Sequence, residues 1–390
     1  MTTALPAPFD VLDMLQATAA QPDDTARPLG GTAYASQRLF ERELDTIFKT
    51  QWTCVGRVDE FRKAGDYVAI DHGIVPLLVV KQKSGAIEAM INICSHRLAP
   101  LAKGRGNTPR FVCPYHAWSY DRDGTLLAAP RMPADFDKSA CGLPKARVET
   151  WMGFVYVNPD PDAPSLVETL KPLDALFAPY PLPRMKTMLR SQFVWECNWK
   201  IAMENFLESY HFDAVHAQTL APFSPQDTLR MAAEGDTFAF HEFVWPEGSV
   251  EHMEGSLLMP NPDIMSEQEH TVYFGGVFPN HLFTVQYDQI AWMRMQPIAV
   301  DRTLVDFGLA GAFDIPDDVP PDPDHPEFHY LRLADMINEE DRTIVEAIQA
   351  NSRSGMGTPG RLHPNEHGLL TFARFVARMT ASQATAEAEA

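Results

Sequence analysis

The sequence reads CSH at residues 94–96 and, after sixteen further residues, CPYHAW at residues 113–118. Each of these two segments supplies one cysteine and one histidine, and each lies between predicted strands. Two thiolates and two imidazoles suit either a zinc ion or an iron–sulfur centre. A zinc finger with this ligand set usually places its two cysteines together and its two histidines together, whereas here they alternate. The pattern therefore favours a [2Fe–2S] cluster in which Cys94 and Cys113 hold one iron and His96 and His116 hold the other.

The sequence around these segments consists of short apolar or β-branched runs. DYVAID, IVPLLVVKQ and IEAMINI fall between residues 66 and 93 and are divided by turn signals such as KSG. Asp123-Gly124 is typical of the turn of a β-hairpin. WMGFVYV, at 151–157, predicts a strand that leads into a proline-rich linker. We therefore expect residues 46–160 to form a small all-β domain.

The rest of the chain mixes helical and strand-like patterns. Most of 196–216 and the stretch 330–353 are predicted to be helical, and 271–313 is rich in strands. These patterns predict an α+β domain over residues 161–378, with an antiparallel sheet packed on helices. Residues 1–45 are expected to be an arm and helix that pack on this domain, and 379–390 a frayed tail.

Composition and charge exclude some classes of protein. The 390 residues carry a formal net charge of −20, which argues against a nucleic-acid partner and is compatible with a basic electron-transfer partner. No apolar run approaches the roughly 18 residues that predict a membrane span, and the start of the chain lacks the pattern of a signal peptide. Five cysteines in a chain of this length do not resemble a disulfide framework. These features predict a protein of the cytoplasm.

A second group of metal-binding side chains lies in the segment that ends near residue 216. His211 and His216 are candidates for a triad of two histidines and one carboxylate, the ligand set of non-haem Fe(II) oxygenases. A spacing of five puts them about 140° apart on an ideal helix, so the helix should end or bulge between them. Glu208 precedes His211 by three residues, and the two can therefore share a helical face.

The third ligand is expected in the helix at 330–353, and Asp341 is the candidate. Its neighbours on the helical surface are apolar: Ile337, Ile344, Val345 and Ile348. An aspartate on an apolar stripe points into the core, where its charge needs a partner such as a metal. Glu340 is the alternative ligand.

Together these motifs resemble the α-subunits of Rieske non-haem iron oxygenases, a family that includes ring-hydroxylating dioxygenases and carnitine, choline and glycine betaine monooxygenases. The resemblance runs from about Phe40 to Phe375. It implies a Rieske domain and a catalytic domain of helix-grip, START-like fold, with a [2Fe–2S] cluster and a mononuclear Fe(II). It also implies that the carboxylate ligand lies in a C-terminal helix. Glutamate at position 208, within NFLESYH, is closer to the quaternary-ammonium branch, because many ring-hydroxylating dioxygenases carry aspartate there.

The resemblance further implies how electrons travel. Glu208 would bridge a Rieske histidine of a neighbouring subunit and the iron-binding His211 of its own, so that His116, Glu208 and His211 form the path. A head-to-tail homotrimer, or a multiple of it, would bring the two metal sites together. An NAD(P)H-dependent reductase, directly or through a ferredoxin, would supply the electrons. The enzyme would then use O2 to hydroxylate or oxidatively demethylate a small organic substrate.

The substrate remains open between an aromatic and a quaternary ammonium compound. The expected pocket residues are Met203, Phe206, Leu207, Phe212, Phe274, Phe283, Tyr287 and Trp292. Aromatic side chains bind a quaternary ammonium group through cation–π contacts or stack on an aromatic ring. Arg294 and Gln286 are candidates to anchor a carboxylate.

Two other functions are considered. The chain could be a Rieske electron carrier without its own chemistry, although a carrier needs only the β domain. It could also be a zinc-stabilised binding protein. His363 and His367 are read as parts of a structured loop, because Pro364 follows His363. Cys54, Cys141 and Cys197 are read as core residues.

Overall fold

The structure is a computed structural model that describes residues 11–72, 75–245, 270–287, 289–311 and 329–381, with side chains described at all of these except 71, 72, 223 and 329–332. Most of the predicted C-terminal tail lies outside these residues. The chain forms two compact units, Phe48–Lys171 and Met1–Ile47 together with Pro172–Ala390.

Three short helices begin the larger unit: α1 (Val11–Ala19), α2 (Gly31–Ala35) and α3 (Gln37–Glu43). The side-chain amide of Gln16 in α1 donates to the backbone oxygen of Ala377 (2.8 Å), near the C-terminus. At the end of α3, the fully buried carboxylate of Glu43 lies 2.7 Å from the buried ammonium group of Lys200. These bonds join the N-terminal helices to the unit formed by residues 172–390.

The smaller unit is built from β-strands. Its seven-stranded antiparallel sheet has the order β1-β10-β9-β4-β3-β2-β5, and β6-β7-β8 form a second, three-stranded sheet. The strands are β1 (Thr53–Arg57), β2 (Asp66–His72), β3 (Val75–Lys81), β4 (Ile87–Ile91), β5 (Gly104–Asn107), β6 (Phe111–Val112), β7 (Ser119–Tyr120), β8 (Leu126–Ala128), β9 (Lys145–Trp151) and β10 (Phe154–Asn158). A helix, α4 (Leu166–Leu170), follows them.

The predicted hairpin at Asp123-Gly124 is the turn between β7 and β8. Gly124 has a φ of +83°, in the left-handed region that favours glycine, and its N–H donates to the backbone oxygen of Asp121 (3.0 Å). A Cβ at this position would lie 3.1 Å from the Cβ of Leu143, so the turn also packs closely.

In the larger unit, α5 (Asp174–Phe177) precedes a seven-stranded antiparallel sheet of order β11-β17-β16-β15-β14-β13-β12. The strands are β11 (Lys186–Trp195), β12 (Arg230–Gly235), β13 (Phe238–Val244), β14 (Thr271–Val277), β15 (His281–Val285), β16 (Gln289–Ala299) and β17 (Arg302–Gly311). The helices are α6 (Trp199–Phe206) and α7 (Phe212–Val215), between β11 and β12, and α8 (His329–Ser352) and α9 (His367–Ala381), after β17.

The two faces of this sheet pack against different helices. Phe240 and Phe283 point to one face, where both rings contact Phe177 of α5 (5.3 and 5.6 Å between centroids). His241 points to the opposite face, where its ring touches the start of α9: a Cβ on Gly368 would lie 3.0 Å from His241 Cε1. The α+β class, the all-β domain and the helix-on-antiparallel-sheet domain predicted from the sequence are confirmed.

The buried face of α8 differs from the predicted apolar stripe. Ile344 and Ile348 are 40% and 43% exposed, so two of the four apolar neighbours expected around Asp341 do not lie in the core. The buried positions are Asn338, Asp341, Val345 and Gln349. Asp341 is therefore buried as predicted, but on a largely polar face, where Asp341 and Gln349 are hydrogen-bonded. Among the described residues, no helix combines the length and apolar composition that a membrane span requires.

Candidate metal centres

The loop after β4 is closed by its own backbone. Cys94 N–H donates to the oxygen of Ala99 (2.9 Å), and Leu98 N–H donates to the oxygen of Cys94 (3.0 Å). Leu98 has a φ of 62°, a left-handed conformation that is uncommon for a residue other than glycine. These bonds turn the chain sharply, so that the side chain of Cys94 is buried while that of His96 is exposed.

The loop after β6 repeats the same arrangement. Cys113 N–H donates to the oxygen of Trp118 (2.8 Å), and Ala117 N–H donates to the oxygen of Cys113 (3.0 Å). Ala117 has a φ of 59°, in the position that corresponds to Leu98. The two loops therefore present one buried cysteine and one exposed histidine each, which agrees with a cluster held from two sides.

The side chains at the tips of the two loops lie together. The rings of His96 and His116 are 4.6 Å apart, and His96 stacks on the indole of Trp118 (4.7 Å, 8°). The hydroxyl group of Tyr120 accepts from the N–H of Ser95 (3.1 Å) and lies 3.2 Å from the sulfur of Cys94, to which it can donate. A hydrogen bond to a ligand sulfur tunes the potential of an iron–sulfur cluster.

The donor set fits a cluster better than a single ion. Zinc bonds of about 2.3 Å would draw four ligand atoms to within roughly 4.6 Å of one another. Across the described ranges, the His, Cys, Asp and Glu side chains whose ligand atoms meet a 4.8 Å limit are His211, His216 and Asp341. The two Cys/His loops do not converge in this way, which agrees with ligands spread over two irons.

The segment that carries the second group is less helical than expected. Helix α6 ends at Phe206, before Glu208, and the short helix α7 begins after His211 and ends before His216. The carboxylate of Glu208 accepts from the backbone N–H groups of Tyr210 and His211, which turns the chain between the two helices. The prediction that one helix continues as far as His211 is wrong, because Glu208 bonds to the backbone instead.

Glu208 and His211 are nevertheless in contact. An oxygen of the Glu208 carboxylate is hydrogen-bonded to Nδ1 of His211. The sequence predicted this contact from a shared helical face, but the contact arises from the turn instead. Because the carboxylate accepts a hydrogen bond from the Nδ1–H of His211, the Nε2 atom is the one that would bind a metal.

His211, His216 and Asp341 form a triad. Oδ1 of Asp341 lies 2.9 Å from Nε2 of His216 and 3.6 Å from Nε2 of His211. His211 and His216 flank α7, and Asp341 reaches them from α8. Both imidazoles thus present Nε2 to one carboxylate oxygen, an arrangement typical of a site for one metal ion.

The charges of the triad are strongly coupled. Burial lowers the pKa of His211, but its hydrogen bonds to Asp341 and Glu208 outweigh burial and raise the pKa to about 9. Burial also lowers the pKa of His216, but hydrogen bonds to Asp341 and Glu340 outweigh burial and raise it. Burial opposes ionisation of Asp341, yet the two histidines hold the pKa of this carboxyl below its ordinary value. A carboxylate that stays ionised while buried is well suited to a cation.

Other side chains hold the triad in place. Oε2 of Glu340 lies 2.7 Å from Nδ1 of His216 and accepts from the hydroxyl group of Thr219 (2.8 Å). Glu340, the alternative ligand, therefore lies on the far side of the His216 ring from Asp341. Asn205 hydrogen-bonds to Asp341. The sequence did not assign roles to Asn205 and Thr219, because neither residue type indicates a metal contact by itself.

Two of the predicted pocket aromatics lie beside the triad. The ring of Phe212 is 5.0 Å from that of His211 and 5.5 Å from that of His216. Phe274 lies 6.3 Å beyond Phe212, on the sheet. Met203 and Leu207 are buried in and after α6, and Phe206 is half-buried.

The prediction for Phe283 and Trp292 is wrong. Both point to the sheet face on which Phe177 packs, because residues that alternate along a strand point to opposite faces. Arg294 shares that face and donates to Asp306 (2.9 Å), so its guanidinium group is already bound.

Further candidates from the sequence are also bound elsewhere. Tyr287 contacts Trp245 (6.3 Å), and Gln286 accepts from the side chain of Gln289 (2.6 Å). His363 stacks on Tyr210 (4.2 Å, 6°), and His367 lies 3.0 Å from Glu234.

All five cysteines are free of disulfide bonds. Cys54 and Cys197 are fully buried, as expected of core residues, whereas Cys141 is only half-buried.

Comparison with known families gives two matches. Residues 51–151 match the Rieske [2Fe-2S] domain. Residues 182–382 match the ring hydroxylating alpha subunit (catalytic domain). The first match contains both Cys/His loops, and the second contains all three residues of the triad.

Several characterised proteins are similar in sequence. The glycine betaine monooxygenase oxygenase subunit of Chromohalobacter salexigens is 28% identical over 91% of this chain and 86% of its own length. The carnitine monooxygenase oxygenase subunit of Escherichia coli K12 is 34% identical over 47% of this chain and 50% of its own. The anthranilate 1,2-dioxygenase large subunit of Acinetobacter baylyi is 31% identical over 55% and 48%. The chain thus matches most of the first protein and about half of the other two.

Solved structures share the fold. The quaternary ammonium Rieske monooxygenase CntA superimposes with a TM-score of 0.79 at 22% identity, over 97% of this chain and 99% of its own. Naphthalene 1,2-dioxygenase from Rhodococcus sp. superimposes with a TM-score of 0.77 at 20% identity, over 95% and 98%. At these identities the likeness concerns the fold alone. From the two domain matches, which include both metal-binding motifs, the chain belongs to the family of ring-hydroxylating alpha subunits, with a Rieske [2Fe–2S] domain followed by a catalytic iron domain.

Proposed function

We propose that this chain is the oxygenase component of a multicomponent Rieske system that uses O2 and reductase-supplied electrons to hydroxylate or oxidatively demethylate a small organic substrate. The observation that carries the proposal is the triad of His211, His216 and Asp341, whose ligand atoms lie within 4.8 Å of one another. An electron carrier does not need such a site.

The proposed ligands have distinct roles. Cys94 and Cys113 hold one iron of the cluster, and His96 and His116 hold the other. The triad holds a single Fe(II), which, when bound by three protein ligands, leaves open positions for O2.

The carboxylates around the triad fix the orientation of its histidines. Glu340 accepts from Nδ1 of His216, and Glu208 accepts from Nδ1 of His211. Each bond selects the tautomer whose Nε2 faces the metal position.

We propose that electrons reach the triad from the Rieske domain of a neighbouring copy, through His116, Glu208 and His211. The charge distribution supports a head-to-tail assembly, because Phe48–Lys171 carries 16 Lys and Arg against 13 Asp and Glu, whereas the rest of the chain carries 16 against 39. Contacts between unlike surfaces are heterologous, and heterologous contacts form a ring where the rotation between copies closes. A solved structure of a quaternary ammonium Rieske monooxygenase is described as revealing inter-subunit electron transfer in that protein. A homotrimer is the proposed state.

The proposed electron source is an NAD(P)H-dependent reductase in the cytoplasm, acting directly or through a ferredoxin. The proposed substrate is a quaternary ammonium compound, because the protein matched over 91% of this chain oxidises glycine betaine according to its name. The rings of Phe212 and Phe274 beside the triad suit an ammonium head group through cation–π contacts. An aromatic substrate is the second candidate, since the same rings can stack on it and anthranilate 1,2-dioxygenase is also similar.

A substrate screen with a generic reductase tests the proposal. The purified protein, loaded with cluster and iron, is supplied with glycine betaine, carnitine, anthranilate or biphenyl. Formaldehyde release indicates demethylation, and a hydroxylated ring indicates aromatic oxidation. The variant His211→Ala should keep the cluster but lose all product. Product formation that survives this change would count against the triad as the reaction site.

A further inference from the structure

His241 is a buried histidine that has no role in the triad or among the residues that support it. It lies on β13 and is 2% exposed. Neither Nδ1 nor Nε2 has a hydrogen-bond partner among the residues that the structure describes. Buried polar atoms in folded proteins nearly always have a partner, so two unpaired nitrogens on one ring require an explanation.

The ring of His241 is held in a fixed orientation. It stacks on Phe274 of the next strand, with centroids 5.3 Å apart and an interplanar angle of 18°. Its edge faces Gly368 at the start of α9, where a Cβ would lie 3.0 Å from Cε1 and 2.5 Å from the backbone oxygen of Leu207. Any residue larger than glycine at position 368 would collide with this arrangement. The side chain is therefore oriented by packing, although nothing described binds its nitrogens.

His241 lies on the same side of the sheet as the triad. Phe274, on which it stacks, is 6.3 Å from Phe212, and Phe212 is next to both His211 and His216. Two aromatic rings thus lead from the imidazole of His241 to the proposed iron ligands. A small substrate that rests on these rings, with its reacting carbon at the metal, would place its other end towards β13.

We propose that His241 is a specificity-determining residue of the substrate site, where its ring N–H donates a hydrogen bond to an oxygen of the substrate at the end remote from the iron. This proposal rests on the proposed function and refines it, since it selects substrates with a carboxylate or hydroxyl oxygen. The reaction itself is unchanged.

The charge state of His241 agrees with this role. Burial lowers the pKa of His241 to about 4, with the nearby His367 acting in the same direction and Glu234 opposing it. The ring is then neutral at physiological pH, with one donor and one acceptor nitrogen. A neutral donor selects a substrate oxygen by geometry and does not require a full opposite charge.

Matched pairs of probes test the proposal. Glycine betaine is compared with tetramethylammonium, and anthranilate with aniline, because the second member of each pair lacks only the carboxylate-bearing part. The Kd of each probe is measured with the iron-loaded, full-length protein. His241→Leu removes the nitrogens at similar volume, and His241→Gln keeps a donor. Phe243→Leu, two residues along the same strand, is the control for lost ring packing.

For the pair of probes that the protein binds, we expect His241→Leu to raise the Kd of the carboxylated probe about tenfold, which is the effect of one lost hydrogen bond. The probe without the carboxylate should change less than twofold, and His241→Gln should restore most of the loss. Phe243→Leu should affect both members of a pair equally. An equal loss of both members in His241→Leu, or no loss in either, would overturn the proposal.

If the wild-type protein binds neither pair of probes, the stability of the ligand-free protein provides an independent test of the proposal. A histidine kept for a substrate contributes no hydrogen bond to the ligand-free fold, so His241→Leu should leave the unfolding equilibrium constant in urea unchanged or lower it. A rise of tenfold or more would mean that the nitrogens have a structural partner, and the proposal would fail. Iron content and O2 uptake of the same samples test the proposed function. If the wild-type protein binds no iron or takes up no O2, the proposed function is refuted, but the role of His241 is not.

Discussion

Oδ1 of Asp341 lies 2.9 Å from Nε2 of His216, although 125 residues separate them along the chain. We expect Asp341→Ala to lose the mononuclear iron and all turnover while the cluster remains, because the site then has two neutral ligands. Iron and acid-labile sulfide analysis measures this: iron should fall while sulfide stays constant. Glu340→Gln should keep the iron with about 10- to 100-fold weaker affinity, because it loses only the bond that orients His216. Glu339→Gln, on the exposed side of the same helix, is the control and should change neither value. Iron retained in Asp341→Ala would refute Asp341 as a required ligand.

Glu208 is expected to affect electron transfer more than metal content. Its carboxylate contacts Nδ1 of His211 and accepts from two backbone N–H groups. In Glu208→Gln the iron should remain, and turnover should fall by about 10- to 100-fold. Re-oxidation of the reduced cluster by O2 with substrate present, followed by absorbance, gives the rate. A wild-type rate in Glu208→Gln would exclude the proposed path.

Tyr120 is predicted to set the potential of the cluster. Its hydroxyl group lies 3.2 Å from the sulfur of Cys94. A hydrogen bond stabilises the reduced cluster more than the oxidised one, because reduction adds negative charge to the sulfur. If this difference is ~1 kcal/mol, Tyr120→Phe lowers the potential by roughly 40 mV, since 59 mV corresponds to a tenfold change for one electron. Redox titration followed by electron paramagnetic resonance measures it, and Tyr115→Phe, at an exposed position, is the control. An unchanged potential in Tyr120→Phe would contradict the assignment.

Glu204 makes the stability of the fold depend on pH. This buried carboxyl accepts from the hydroxyl group of Tyr34 (2.6 Å), and burial raises its pKa to about 8, against the opposing effects of Tyr34 and Lys200. The folded state therefore holds a proton between pH 4.5 and about 8 that the unfolded state releases. Its contribution to stability is full below pH 4.5 and is lost as the pH rises through 8, by at most about 1.4 kcal/mol per pH unit.

Glu204→Gln should remove this dependence. The free energy of unfolding of the variant, relative to the wild type, should rise between pH 5 and pH 8 in urea titrations. Glu168→Gln, at an exposed position, should leave the pH profile unchanged. If the free energy of unfolding of Glu204→Gln changes with pH as it does in the wild type, the Glu204 carboxyl is ionised in the folded wild-type protein.

The sequence predicted what short-range patterns encode. Strand alternation and turn residues were sufficient to predict the all-β domain, and ligand spacing was sufficient to propose both groups of metal ligands. The burial of Asp341 was also anticipated, but for the wrong reason, because Ile344 and Ile348 are exposed. Helical periodicity locates two faces of a helix, and the face that packs is decided by partners elsewhere in the chain.

Two features depended on contacts that the sequence does not display. Glu208 ends the helical segment through backbone bonds, whereas its position three residues before His211 suggested a helix. The sequence predicted Phe283 and Trp292 as pocket residues, but the strand register shows that both point to the opposite face of the sheet. The sequence did not indicate His241, because an isolated histidine in a strand belongs to no motif. Its unpaired ring nitrogens are visible only in the folded chain.

The matching backbone bonds of the two Cys/His loops have a consequence for how the holoprotein is made. Each loop is closed by N–H···O bonds between main-chain atoms, and the left-handed residues Leu98 and Ala117 complete the turns. We therefore expect the receptacle for the cluster to exist before the cluster arrives. Maturation would then be the last step after folding, and a protein that has lost its cluster to oxidation could be repaired in place instead of being degraded.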